Sequence, residues 1–122
     1  MKAARIMLVD DTPSQSVILE QALLDQELTV VCRAKSAQGL IKNVEVHQPD
    51  LIIMDLASLD QDTLDNMTML NQHNPKPMIL FSKNSDSQLI SQAVQAGASA
   101  YVVDGLESQR IKPIMDAAIA RF

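Results

Sequence analysis

Five short apolar runs, Ile6 to Val9, Leu28 to Cys32, Leu51 to Met54, Met78 to Phe81 and Tyr101 to Val103, punctuate the chain without regular polar alternation. Separated by roughly twenty residues each, they read as strands buried on both faces, and such strands are mostly parallel. Between and after them, apolar residues return at helical spacing: Val17, Ile18 and Ala22; Leu40, Ile41 and Val44; Leu64, Met67 and Leu70; Leu89, Ile90, Ala93 and Val94; Ile111, Ile114, Met115, Ala118 and Phe122. The pattern is a strand followed by a helix, repeated along the whole chain. With right-handed crossovers it makes an α/β fold with a doubly wound parallel sheet. Loop lengths suit a five-stranded, flavodoxin-like order 2-1-3-4-5.

Local punctuation agrees with that reading. Thr12, with Pro13 at the first helical position and Gln15 three residues after the cap, makes a capping-box signature; Ser85 with Gln88 makes another. Gly97 is the expected left-handed stop after Gln95 and Ala96. Pro75 and Pro77 flank the start of the fourth strand, where a missing N–H is tolerated. Pro113 falls inside the last helical pattern and is expected to confine the regular helix to the residues after it, or to kink it.

A length of 122 residues suits one domain with one core. Apolar residues at 47% and a net charge of −5 describe a folded, mildly acidic protein and argue against a basic nucleic-acid-binding face. No apolar run approaches the roughly 18 residues that span a bilayer, and no leader or anchor is read, so a cytoplasmic protein with no membrane contact is expected. The single cysteine, Cys32, reads as a small buried hydrophobe in a reducing compartment. With no Trp, and Phe81, Tyr101 and Phe122 as its aromatics, the chain has little on which to stack a flavin or a base. His47 and His73 lie near the ends of helical segments and read as solvent or helix-terminal residues rather than ligands.

In a doubly wound sheet, ligands bind outside the carboxyl ends of the strands, so the residues just past each apolar run carry the chemistry. These are Asp10 and Asp11 after the first, Asp55 after the third, Ser82 and Lys83 after the fourth, and Asp104 and Gly105 after the fifth. Strands 1, 3 and 4 are neighbours in the expected order, so three carboxylates and a hydroxyl converge. Each Asp alone reads equally as a helix cap or a solvated loop residue. Together they repel one another unless a proton or a cation intervenes, and Mg²⁺, which takes oxygen ligands and keeps several waters, is the economical answer.

Leu8-Val9-Asp10-Asp11, the string Pro49 to Leu56 around Asp55, Ser82 at the end of the fourth strand, and Gly97 to Val103 together resemble the receiver domain of two-component response regulators. The resemblance covers essentially all of residues 1–122 in order and implies the CheY-like version of the fold. It also implies that Asp55 accepts a phosphoryl group from a histidine kinase or other donor, that Asp10 and Asp11 hold Mg²⁺ with Asp55, that Ser82 hydrogen-bonds the phosphoryl oxygen, and that Tyr101 is an aromatic whose rotamer follows activation. Tyr101 also reads as a strand residue that packs without switching anything.

Two positions depart from that family. Asp104-Gly105 stands where a typical receiver has Lys-Pro, so an anion replaces the cation that pairs with the phosphoryl group, and Leu56 to Asp60 lacks the usual Met-Pro. Lys83, on its flexible stem, is a candidate substitute cation. The strings Tyr101 to Leu106, Asn74 to Pro77 and Ile114 to Phe122 resemble receivers of the AmiR/NasT group, in which a helical RNA-binding antiterminator module, commonly in nitrogen control, comes after the receiver. The resemblance therefore implies a downstream output module outside these residues. The apolar stripe Ile111, Met115, Ala118, Ile119 and Phe122 is longer than a short final helix needs, so a homodimer is expected in the longer protein, and the acidic balance leaves no nucleic acid to be bound by this domain itself. The alternative is a pseudo-receiver, a protein-interaction module that works without phosphorylation.

Overall fold

The computed structural model describes residues 4–11, 21, 28–56, 59–82, 85–103 and 108–121, with only the backbone for 108–112 and 121. Within them lie β1 (Arg5–Asp10), β2 (Thr29–Ala34), α1 (Leu40–His47), β3 (Leu51–Asp55), α2 (Gln61–His73), β4 (Met78–Ser82), α3 (Ser87–Gln95), β5 (Ala100–Val103) and α4 (Ser108–Arg121). All strand pairs are parallel and the sheet order is β2-β1-β3-β4-β5, the expected one. The helical pattern at Val17, Ile18 and Ala22 and the capping signature at Thr12, Pro13 and Gln15 lie outside the described residues.

Strand alternation divides the core into two layers. Met7, Val9, Ile52, Met54, Met78 and Leu80 face α1, α2 and α3, packing with Leu40, Val44, Leu64, Met67, Leu70 and Ala93. The intervening residues Ile6, Leu8, Leu51, Ile53, Ile79 and Phe81 pack with Met115 and Ala118 of α4. Each fully buried Leu, Ile or Met is worth about 1.5–3 kcal/mol in removal from water. The three central strands therefore form a rigid floor, and their last residues inherit its positions.

The edge strand β2 differs from its apolar run. It starts at Thr29, continues through exposed Arg33 to Ala34, and buries only Cys32 fully. An edge strand pairs on one side and keeps one flank in water, so apolar content alone does not mark its bounds. Its register against β1 slips by one residue between Ile6 and Met7: Ile6 pairs with Val30, but Met7 pairs with Cys32.

Several caps and faces also fall elsewhere than the sequence patterns place them. Helix α3 begins at Ser87, so Asp86 rather than Ser85 is its cap, and the Asp86 carboxylate accepts from the Gln88 N–H at 2.9 Å. Ala93 of α3 and its C-cap Ala96 are buried, whereas Val94, about 100° round the helix from Ala93, is 55% exposed. Helix α4 begins five residues before Pro113, so the proline does not confine it; the bond forgone is to the carbonyl of Gln109, in the first turn. Gly97 does adopt positive φ, +116°, and a Cβ there would come within 2.9 Å of Asn71 and Met78 side-chain carbons. Pro75 and Pro77 lie just ahead of β4, and the Pro77 carbonyl accepts from the Ile52 N–H at 2.9 Å. Among the described residues no helix is long and apolar enough to cross a membrane.

Candidate functional site

Three central strands each end on a candidate residue. β1 closes at Asp10, β3 at Asp55 and β4 at Ser82. Asp10 and Asp55 are partners in register across β1 and β3, and Asp55 is level with Phe81 of β4, so Ser82 lies one step beyond. The Asp11 N–H donates to the Asp55 carbonyl at 3.4 Å, and the Leu56 N–H to the Phe81 carbonyl at 3.2 Å. The first is long, as befits a ladder coming to its end. Asp10 and Ser82 are each 6% exposed, Asp55 is half-buried and Asp11 is exposed. Asp10 and Asp55 thus stand side by side at the rim of the sheet, one buried and one half-buried.

Tyr101 pairs with Leu80, one step inside the row of Asp55, and packs half-buried against the core that also holds Leu80 and Ala93. Val103, which pairs with Ser82, ends β5 at 38% exposure. Lys83, Asp104 and Gly105 lie outside the described residues. His47 and His73 are the last residues of α1 and α2, away from the carboxylates, and His73 Nδ1 sits 2.8 Å from the Met69 carbonyl. Burial pushes the Cys32 thiol above its ordinary value of 9.0, which keeps it protonated and inert at neutral pH.

The donor set suits a hard divalent cation. It offers carboxylate oxygens from Asp10, Asp11 and Asp55 and no soft ligand among the strand ends. Among the described residues no three such side chains are gathered into a ready-made cage. Mg²⁺ does not require one, since it is held through one or two carboxylates and retains water on its other positions.

Another acidic residue sits at the same end and was not singled out by the sequence patterns. Asp60 caps α2, its carboxylate accepting from the Thr63 N–H at 2.8 Å, and that backbone hydrogen bond, with the Thr63 side chain next, holds its carboxyl below the ordinary 3.8. An Asp three residues before a Thr, ahead of Leu64, Met67 and Leu70, is the signal that marks it.

Residues 6–116 match the response regulator receiver domain family. The chain belongs to that family. The transcriptional regulatory protein PdtaR of Mycobacterium tuberculosis is 26% identical over 118 residues, covering 97% of this chain and 58% of PdtaR. The chemotaxis protein CheY of Bacillus subtilis is 24% identical over 110 residues, 89% of this chain and 92% of CheY. In structure, the signal receiver domain of NarL from Mycobacterium tuberculosis superposes with a TM-score of 0.84 at 22% identity, covering 97% of this chain and 98% of that one. The receiver domain of a modulated diguanylate cyclase from Desulfovibrio desulfuricans gives 0.85 at 14% identity, over 98% and 96% of the two chains. This receiver domain therefore spans little more than half of PdtaR and nearly all of CheY.

Proposed function

We propose that this receiver domain is phosphorylated on Asp55 by a histidine kinase and passes the change to an output module. The observation that supports it most is the register: Asp55 closes β3 beside buried Asp10, with Ser82 closing the next strand. A carboxylate oxygen of Asp55 attacks the donor phosphorus, forming an O–P bond. The P–N bond of a phosphohistidine, or the P–O bond of a small acyl phosphate, breaks and its electron pair leaves with the donor. Ser82 donates its hydroxyl to a phosphoryl oxygen, and Asp10 with Asp11 and Asp55 holds Mg²⁺, which when bound offsets charge on the transferring group.

Lys83, next after Ser82, is a further cation for that group, and Asp104 is the residue that weakens the pocket's positive balance. Tyr101 is the side chain through which the state of Asp55 reaches the edge of the sheet, where β5 ends on Val103, exposed at 38%. That edge is the surface for a second copy of the protein. In line with the AmiR/NasT resemblance, the output is RNA-binding antitermination in a cytoplasmic regulator of nitrogen assimilation, and this domain itself binds no nucleic acid.

The test is direct mapping. After incubation with a small acyl phosphate and Mg²⁺, reductive trapping and peptide mass spectrometry should place a single modification on Asp55. A modification elsewhere removes the assignment. Lys83→Ala should slow the labelling several-fold and Asp104→Lys should restore it in that background; unchanged labelling of Lys83→Ala at low ionic strength removes Lys83 from the site.

A further inference from the structure

A phosphoryl group on Asp55 would carry about −1.5 to −2 charges, beside the carboxylates of Asp10 and Asp11. Among the described residues that close a strand at this end or come within two positions after it, Lys35 is the one basic residue. Its place is set by the register slip in β2. After Met7 pairs with Cys32, Val9 pairs with Ala34, the last pair in register, so Lys35 is the residue that leaves β2 next to the end of β1 at Asp10; without the slip Ala34 would stand there. Asp55 is the register partner of Asp10 on one side, and because β1 lies between β2 and β3, Lys35 follows the end of β2 on the other.

The face agrees as well as the row. Cys32 and Ala34 pack into the layer that covers α1 to α3, and a strand pleat carried one residue past the end of β2 would turn Lys35 to the other face. Asp10 and Asp55 continue the series Ile6, Leu8 and Leu51, Ile53 on that same face. Adjacent strands are about 4.8 Å apart, which sets Lys35 and Asp55 roughly 10 Å apart in the backbone. An exposed four-carbon lysine stem on one side and a carboxylate carrying a phosphoryl group on the other span that gap.

We infer that Lys35, delivered by the one-residue slip of the edge strand β2, is the positive charge that faces the phosphoryl group on Asp55 from across Asp10. The inference rests on the reading of Asp55 as phosphoacceptor. It is distinct from the assignment of Lys83, which follows Ser82 in the sequence.

The test is the rate of acyl-phosphate labelling of the whole chain, followed by intact mass at saturating Mg²⁺ and low ionic strength. Lys35→Ala should slow labelling roughly three- to five-fold, as loss of a partly screened charge contact would, and Lys35→Arg should restore it. The loss should shrink in high salt. Lys76→Ala, which removes the same charge at the opposite end of the sheet, should label at the wild-type rate. Wild-type labelling of Lys35→Ala overturns the inference and leaves Asp55 standing. A loss that Arg does not restore and salt does not change marks a structural role, and also overturns it. If the wild-type chain takes up no phosphoryl group, the inference falls together with the reading of Asp55.

Discussion

The two ends of the β1–β3 pair are built in opposite ways. At the amino end the chain closes on itself: the Arg5 N–H donates to Asp50 Oδ2 at 2.9 Å, the Asp50 N–H returns to the Arg5 carbonyl at 2.8 Å, and the Arg5 guanidinium donates to the His47 carbonyl at 2.6 Å. A cation thus meets the carboxyl end of α1, where the helix dipole favours it. At the carboxyl end the same strands finish on Asp10 and Asp55, paired in register, with a backbone bond stretched to 3.4 Å. One end spends its polar groups on holding the fold, and the other concentrates like charge where a ligand can answer it. The difference is why the proposed phosphoacceptor is sought at the carboxyl end.

The largest effect expected is on the floor that both ends share. Ile53 is fully buried midway along β3, and Ile53→Ala should lower stability by about 2–5 kcal/mol in urea unfolding, loosening both ends together. Next come two substitutions of opposite sign. Arg5→Ala should destabilise by about 1 kcal/mol through loss of a charged hydrogen bond, whereas Asp10→Asn should stabilise by about 1 kcal/mol in metal-free buffer by removing one of two adjacent like charges. Both are read from chemical denaturation, and equal signs would erase the contrast between the ends. Added Mg²⁺ should narrow the gap between wild type and Asp10→Asn and move the backbone NMR signals of Asp10, Asp11 and Asp55; if saturating Mg²⁺ does neither, the donor set is not a metal site.

The smallest effect is a matter of pH. The Asp60 carboxyl is lowered in the folded state, so its contribution is present above the ordinary 3.8 and is lost as pH falls through the folded value. Asp60→Asn keeps a capping side chain but cannot titrate. Its melting temperature should lie below that of the wild type at neutral pH and approach it near roughly pH 3.

Burial decides how much of the molecule is legible in its sequence. β1, β3 and β4 were readable because both their faces are dry, and their apolar runs stop where Asp10, Asp55 and Ser82 begin. β2 and α3 were read less well because half-exposed elements carry weaker patterns: Arg33 interrupts the first, and Asp86 displaces Ser85 as the cap of the second. The Arg5–Asp50 clasp joins residues 45 apart, and no local spacing encodes it. Lys35 was illegible for a related reason, since its level beside Asp10 depends on a slip in pairing between two strands rather than on any motif.

The central claim is most directly tested by the intact mass of the wild-type chain and of Asp55→Asn after incubation with a small acyl phosphate and Mg²⁺. One phosphoryl group on the wild type, lost on removal of the metal before labelling and absent from Asp55→Asn, is the result this account predicts. An adduct that persists in Asp55→Asn would contradict the assignment of Asp55, and an unmodified wild-type chain would contradict the account as a whole and leave the protein-interaction reading in its place.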